Sequence, residues 1–304
     1  MLSAIAVAAL WGLSFVAARM VLSTLTPILL ASVRFVIASL VFTPIVIRGL
    51  RNGNALKLAD VMELGLLGFL GISVYFLLQY TGVRYAGAGL SALLVVGLIP
   101  IITGTVSIFV LKESYDVQQV LGTGLGLVGV ALATMPGLFL EKVDVLFYVG
   151  VLCLFLNAVC WALYSALSKR FMNRTRRPLE VTAYVTILGT LVLIPMSVTS
   201  DWSLVKSLRL EQWLSILYLS LACTCGGYFL WNFALSKAEA VKVAVWLYLE
   251  PVAAFVGEAL VFNTIPSSTT LIGAGTIIAG AILTIWSKQR PSSLVKLKHL
   301  LVSS

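Results

Sequence analysis

Three charged residues stand inside apolar stretches of the chain, where a charge needs a specific reason to be present. Arg34, Glu250 and Glu258 each lie within a run of hydrophobic residues, and placing such a charge in hydrocarbon costs about 2.5–3.5 kcal/mol. Glu250 precedes Pro251, which has no N–H and is expected to free a backbone carbonyl one turn earlier. Two interpretations of Glu250 stay open. One is proton transfer or binding of a cationic solute, and the other is a structural role, either a pairing with Arg34 or a polar contact that holds the two halves together.

Glu258, Arg34 and Glu113 each have an interpretation of their own. Glu258 lies eight residues after Glu250, on about the same helix face, and is therefore a second proton-coupling candidate. Arg34 is interpreted as a structural charge that bonds carbonyls or a carboxylate, in preference to a clamp for an anionic substrate. Glu113 follows an apolar run and is expected to cap or pair at a helix end.

Aromatic and amide side chains recur at similar positions in both halves of the chain. A cavity lined by aromatic faces and a few amides suits amphipathic or cationic solutes. The predicted substrate-binding residues are Trp11, Tyr75, Gln79, Tyr80, Trp161, Tyr164, Tyr228, Trp231, Asn232, Trp246 and Glu250. Tryptophan also packs in membrane interfaces, so such a role stays an equal alternative for Trp11, Trp161, Trp231 and Trp246.

The composition indicates that these residues are surrounded by lipid. Hydrophobic residues make up 60% of the chain and charged residues 11%, against about 25% charged residues in soluble domains. A water-facing globule of this size cannot bury so much apolar surface. The net charge of +9 falls in short clusters between apolar runs, which argues against nucleic acid. The four cysteines are interpreted as buried apolar residues, and neither a metal nor a cofactor is expected.

Apolar stretches of about 20 residues, enough to cross the hydrocarbon core, recur along the whole sequence. A turn signal at residues 263–268 divides the last long stretch into two. The ten predicted spans cover residues 2–22, 27–47, 62–84, 87–111, 117–136, 145–169, 179–200, 212–236, 242–263 and 267–287. The first is interpreted as a retained helix and not as a cleaved signal peptide.

The distribution of Lys and Arg predicts how these spans are oriented. Of the 21 basic residues, fifteen fall on one side of the predicted membrane and five on the other, while Arg34 lies within it. Because cytoplasmic loops carry the excess of Lys and Arg, both termini are predicted to be cytoplasmic. The basic segment at residues 169–177, between the two halves, is interpreted as an anchor on the cytoplasmic leaflet.

The two halves of the chain repeat one another at a nearly constant offset. Trp11 matches Trp161 at 150 residues, and the prolines and glycines match at 151: Pro27, Pro44, Pro100, Gly122, Gly124 and Gly129 with Pro178, Pro195, Pro251, Gly273, Gly275 and Gly280. A unit of five helices is odd, so the second copy must enter the membrane from the opposite side. We therefore predict an all-α integral membrane protein with ten transmembrane helices as two inverted five-helix repeats, an architecture of many secondary transporters.

With these features the sequence resembles the drug/metabolite transporter superfamily, specifically its ten-helix EamA-type branch. The residues that carry the resemblance are Trp11-Gly12, Arg34, Pro100, Glu113 and the run Leu249-Glu250-Pro251-Val252. The resemblance spans nearly the whole chain and implies export or exchange of amino acids, metabolites, drugs or nucleotide-linked compounds. The family pattern places a second glutamate at the end of helix nine, where this chain has Thr264.

The resulting prediction is a secondary transporter that exports or exchanges small metabolites, namely amino acids or related amphipathic or cationic solutes. It works by alternating access across the plasma membrane, with a bacterial inner membrane as the simplest location. The repeats are assigned to residues 1–143 and 144–290, and a cytoplasmic tail to 291–304. Expected partners are a small-molecule substrate, the lipid bilayer and protons, but no nucleic acid, for a monomer or weak homodimer. A lipid-linked substrate flippase of the same fold and a channel are the alternatives. An enzyme is disfavoured, because the sole histidine, His299, lies in the polar tail and no nucleophile elbow is present.

Overall fold

Helices account for the regular structure throughout the part of the chain that the structure describes. This computed structural model describes residues 2–51, 56–86, 88–113, 116–138, 145–175, 177–253, 256 and 268–286. In chain order the helices are α1 (Leu2–Leu22), α2 (Pro27–Arg51), α3 (Leu58–Gly68), α4 (Tyr75–Ala86), α5 (Ala88–Val110), α6 (Val117–Leu138), α7 (Val145–Thr175), α8 (Pro178–Met196), α9 (Leu210–Leu217), α10 (Gly227–Leu235), α11 (Ala240–Ala244) and α12 (Ser268–Ile285).

Several of these helices have the length and apolarity needed to cross a membrane. Within the described residues, six do so by themselves or in continuous pairs: Leu2–Leu22, Pro27–Arg51, Leu58–Gly82, Val145–Thr175, Pro178–Met196 and Leu210–Leu235. Shorter apolar helices cover Leu94–Val110, Val117–Leu132 and Leu271–Ile285. The predicted span at 242–263 begins with α11 at Ala240 and is described only to residue 253 and at 256. The all-helical, multi-pass character is thus confirmed.

Some helix ends differ from the sequence prediction for local reasons. α7 continues to Thr175, six residues past the predicted end, so part of the basic segment is helical. It ends close to Pro178, because the residue before a proline disfavours the helical conformation. Arg177 accordingly lies outside the helical region, with φ −124° and ψ 69°. α5 ends where Lys112 adopts the left-handed conformation, with φ 56°, a conformation that ends many helices.

Two π-helical segments interrupt the long helices at the centre of the bundle. Phe69–Val74 joins α3 to α4, and Tyr218–Gly226 joins α9 to α10. Both offer backbone carbonyls to side chains of other helices: Tyr228 donates to the Gly71 carbonyl at 2.8 Å, and the Trp11 indole to the Cys223 carbonyl at 2.9 Å. The widened turns, which often mark functional sites, therefore hold two of the predicted aromatic residues in place.

The helices pair in a regular way around this centre. α2 packs along α8, and α6 packs along α12. α1 contacts α9, α10 and the π-helical segment between them, whereas α7 contacts α3, α4 and their own π-helical segment. Between α2 and α8, the Ser39 hydroxyl donates to the Thr190 hydroxyl at 2.8 Å.

Glycines allow α6 and α12 to approach until their backbones touch. A Cβ atom on Gly122 would lie 2.8 Å from the Gly280 carbonyl oxygen, and one on Gly129 would lie 2.9 Å from that of Gly273. Such close packing of small residues is a common way for helices to associate in lipid, where burial of apolar surface gives no driving force. This helix pair therefore depends on van der Waals contact between backbones.

Candidate functional site

An aromatic cluster occupies the middle of the bundle, beside the two π-helical segments. The Trp11 ring lies 5.1 Å from the Trp161 ring, 5.7 Å from Tyr228 and 5.6 Å from Trp231, and the Trp161 ring lies 4.9 Å from Tyr75. Most of these pairs are edge-on or tilted, the geometry that aromatic quadrupoles prefer. Five residues from the predicted substrate site are thus brought together from α1, α4, α7 and α10.

A small pocket of about 40 Å³ lies against this cluster. The pocket is lined by Trp11, Ser14, Phe15, Arg34, Tyr75, Phe76, Gln79, Trp161, Tyr228 and Glu250. Five of these residues are predicted as substrate-binding from the aromatic and amide pattern, namely Trp11, Tyr75, Gln79, Trp161 and Tyr228, and Arg34 and Glu250 are the intramembrane charges. The charges and the aromatic rings therefore share one site.

The pocket adjoins a chamber of about 780 Å³ that reaches one end of the bundle. Both spaces are lined by Ser14, Phe15, Arg34, Phe76 and Gln79. Further out, the chamber is bordered by residues 22–27, where α1 turns into α2, and by Tyr80 and Arg84 of α4. A solute that enters from the α1–α2 turn thus meets Arg34 before it reaches Glu250.

Arg34 is buried, with 3% of its surface exposed, and its charge has partial compensation from neutral groups. Its Nε donates to the Thr224 hydroxyl at 2.8 Å. The guanidinium carbon lies 4.7 Å from the centre of the Phe76 ring and 5.3 Å from that of Phe35, within the range of cation–π attraction. This position leaves the guanidinium bordering both the pocket and the chamber.

Glu250 is 7% exposed and faces the same pocket. Among the residues that the structure describes, its carboxylate has neither a hydrogen bond nor an ion pair, so the alternative of a direct pairing with Arg34 is not realised in this conformation. The carbonyl that Pro251 was expected to free is also occupied, because the 3₁₀ turn Val245–Leu249 directs the Glu250 N–H to the Leu247 oxygen. Within the described part of the chain, the carboxylate is therefore the group of Glu250 that lacks a partner.

Four other predicted residues line neither space: Tyr164, Trp231, Asn232 and Trp246. Asn232 donates to the Tyr164 hydroxyl at 3.0 Å and to the Thr182 hydroxyl at 2.9 Å, and accepts from Ser168 at 2.8 Å. Trp231 donates to Ser165 at 3.3 Å. Glu258 falls outside the described residues.

Replacing Asn232 with leucine is expected to lower the free energy of unfolding by about 1–3 kcal/mol, because three buried hydroxyls lose a partner. Thermal denaturation in detergent measures this loss. Asn173→Leu, an exposed position on α7, serves as the matched control and should leave stability unchanged. An Asn232→Leu variant of wild-type stability that no longer binds substrate would instead place Asn232 in the substrate site.

The opposite end of the bundle is closed by a polar network that sequence reasoning found only in part. Glu113 pairs with Lys169 at 2.5 Å and accepts from the Ala240 N–H, at the start of α11, at 3.0 Å. Lys169 also donates to the Ala238 carbonyl. Close by, Glu239 pairs with Lys242 and accepts from Gln119. This network ties the ends of α5, α7, α10 and α11 together.

Sequence reasoning also omitted Ser14, Phe15 and Phe76 from the site. Ser14 and Phe15 follow Trp11 by three and four residues, and Phe76 precedes Gln79 by three. Residues at these spacings share a helix face, so helical periodicity around the predicted residues was the available signal. The sequence also contained a signal for Lys169, because this basic residue matches Arg19 of the first repeat at an offset of 150 residues.

Known proteins resemble this chain over nearly its full length. Residues 1–135 and 148–286 match the model of the EamA-like transporter family. An uncharacterized transporter of Archaeoglobus fulgidus is 28% identical over 90% of this chain and 94% of its own length. A probable amino-acid metabolite efflux pump of Escherichia coli is 26% identical over 93% of each chain. One crystal structure, at 22% identity, superposes with a TM-score of 0.76 over 93% of this chain and 94% of the other, a likeness in fold.

Proposed function

The chain belongs to the EamA-like transporter family, and on that premise we propose that it is a secondary transporter that exports or exchanges small metabolites across the plasma membrane by alternating access. Small-molecule transport follows from the family. The observation that supports the finer proposal is a chamber of about 780 Å³ that reaches one end of the bundle and leads to a charged aromatic pocket, while ion pairs close the other end. A site that is accessible from one side at a time is what alternating access requires.

The proposed architecture is two inverted five-helix repeats, assigned to residues 1–143 and 144–290. Contacts between the two halves support it. The first helix of each repeat packs on the third span of the other repeat: α1 packs on α9 and α10, and α7 packs on α3 and α4. The π-helical segments Phe69–Val74 and Tyr218–Gly226 overlap when shifted by 151 residues. Ser39 and Thr190, which are separated by 151 residues, hydrogen bond to each other, as equivalent positions do beside a two-fold axis.

Reciprocal glycine contacts support the same architecture. Gly122 and Gly129 of α6 are equivalent to Gly273 and Gly280 of α12 at the 151-residue offset. Gly122 meets Gly280, and Gly129 meets Gly273. Adding or subtracting the offset converts the Gly122–Gly280 contact into the Gly273–Gly129 contact. Such reciprocal contacts are the pattern of a two-fold interface.

Both termini are proposed to be cytoplasmic, from the excess of Lys and Arg on that side. The α1–α2 turn and the chamber mouth then face the exterior, and the Lys169–Glu113 network lies at the cytoplasmic end. The structure would accordingly correspond to an outward-facing conformation. Transport would require this network to open as the outer ends of α1, α2 and α4 close.

The substrate site is proposed to comprise the predicted residues that line the two spaces: Trp11, Tyr75, Gln79, Tyr80, Trp161, Tyr228 and Glu250. Glu250 is also the proton-coupling candidate, because its carboxylate is buried, borders the pocket and has no partner among the described residues. A carboxylate in such a position can exchange a proton with the solution when the chamber is hydrated.

Uptake into liposomes that contain the purified protein tests the proposed function. A panel of radiolabelled amino acids and nucleosides is presented with and without a pH gradient. Saturable flux of a solute supports the transporter, and dependence on the gradient supports proton coupling. Flux that does not saturate would indicate a channel, and scrambling of lipid without solute flux would indicate a flippase.

A cysteine at position 14 reports on access to the chamber. Ser14 lines both spaces, so in intact cells Ser14→Cys is expected to react with a membrane-impermeant thiol reagent, and substrate should slow the reaction. Ser165→Cys, at a fully buried position, is the matched control and should stay unreactive. Reaction of position 14 only in inverted vesicles would contradict the proposed orientation.

A further inference from the structure

The two intramembrane charges are opposite in sign, border one pocket and do not pair with each other. Arg34 comes from α2 and Glu250 from the segment that follows α11. At the 151-residue offset, their counterparts are Val185 and Ile99. Each charge therefore occurs in only one half of the chain, so the repeat does not account for it. Because an unpaired buried charge is strongly unfavourable, the pocket calls for an occupant that compensates both.

The volumes of the pocket and the chamber indicate which part of such an occupant each space can hold. A water-sized group needs a cavity volume of about 10–15 Å³. The pocket of about 40 Å³ therefore has room for a few such groups, as in a small charged head group. The adjoining 780 Å³ chamber can take a much larger side chain. Arg34 borders both spaces, which places its charge at the junction.

The positions of Glu250 and Arg34 indicate how a charged head group is oriented in the pocket. Trp11, Tyr75 and Tyr228 present aromatic surfaces beside Glu250, and both features attract an ammonium group. At the Arg34 side, the guanidinium can donate to a carboxylate. The Trp161 indole N–H has no partner within the described residues, although its repeat counterpart Trp11 donates to the Cys223 carbonyl.

We propose that the pocket is a two-charge site for zwitterionic α-amino acids, whose ammonium binds Glu250 and whose carboxylate binds Arg34, while the side chain extends into the chamber. The inference rests on the proposed transport function and assigns Arg34 to substrate recognition in addition to its bond with Thr224. Specificity would then depend on both charged ends, and an apolar side chain would be tolerated for its size and shape.

Three ligands with the same hydrocarbon group test this site on the wild-type protein. Leucine has both charges, isopentylamine lacks the carboxylate and 4-methylpentanoate lacks the ammonium. Binding is measured in detergent by intrinsic tryptophan fluorescence, since Trp11 and Trp161 line the pocket. Leucine is expected to bind about tenfold or more tightly than either analogue, because each analogue loses one charge-assisted interaction.

Two variants assign the charges to the ends of the ligand. Arg34→Gln should weaken binding of leucine and 4-methylpentanoate but not of isopentylamine, and Glu250→Gln should weaken leucine and isopentylamine but not 4-methylpentanoate. Lys206→Gln and Asp201→Asn, at exposed positions outside the bundle, are the matched charge-removal controls. If Arg34→Gln does not fold, the wild-type ligand series still decides.

The outcomes separate this inference from the transport function. Isopentylamine or 4-methylpentanoate binding as tightly as leucine would overturn the two-charge site in favour of a site for one charge. Leucine failing to bind, while liposomes take up through the protein only solutes that are not α-amino acids, would also overturn it and leave the transporter intact. Absence of flux for every solute, despite tight leucine binding, would count against the transport function alone.

Discussion

Glu250→Gln is expected to weaken binding and transport of an ammonium-bearing substrate by about 10- to 100-fold, while the protein stays folded with equal or greater thermal stability. The loss follows from removing the anionic partner of the substrate. The stability follows from the contacts of Glu250, because its carboxylate has no partner among the described residues and only 7% of its surface is exposed. An uncharged amide in this position avoids the cost of a buried charge.

Uptake in liposomes and thermal denaturation in detergent measure the two halves of this prediction on the same preparation. Asp201→Asn is the matched control, because hydrogen bonds from Ser203 hold the pKa of Asp201 below its usual range, so this variant also removes a negative charge at neutral pH. Its side chain caps an exposed 3₁₀ helix, and Asp201 lines neither the pocket nor the chamber. A Glu250→Gln protein with lower stability and unchanged affinity would identify Glu250 as a structural group.

Gly280→Leu is expected to prevent α6 and α12 from packing and to abolish recovery of folded protein. A Cβ atom at position 280 would lie 2.5 Å from the Gly126 nitrogen and 2.6 Å from the Gly122 carbonyl oxygen. Backbone atoms cannot move aside as a flexible side chain does, so the helices must separate along their whole contact. Overpacking in an ordinary core costs about 1–3 kcal/mol, and a leucine between two backbones should cost more.

Size-exclusion chromatography of fluorescently tagged protein in detergent shows whether the variant is folded and monodisperse. Gly275→Leu provides a control on the same helix, because no atom lies within 4 Å of a Cβ built at Gly275, and its position is exposed toward the lipid. This control should be tolerated. A monodisperse, stable Gly280→Leu protein would show that the close approach of α6 and α12 is dispensable.

The sequence by itself was sufficient for the membrane class, the family and the identity of the unusual charges. Lipid imposes long apolar helices, so the spans are visible as hydropathy, and a charge within them stands out against it. The repeat offset needed only matching prolines, glycines and tryptophans. Trp11, Tyr75, Gln79 and Trp161 were found because tryptophan, tyrosine and amide residues recur in both halves, whereas Phe15 and Phe76, which also line the pocket, were not.

The tertiary structure decided which of those residues face open space and which only pack. Tyr164, Trp231 and Asn232 are tyrosine, tryptophan and amide residues, as are Tyr75, Trp11 and Gln79, yet they bond to neighbouring helices and line neither space. Helical periodicity indicates the face on which a side chain lies, but not which helix stands opposite that face. That partner is set by contacts between residues far apart in sequence, such as the bond from Trp11 to Cys223 and the ion pair between Glu113 and Lys169. The separation of Arg34 from Glu250 has the same origin, because it depends on where two distant helices are held by the packing of all the others.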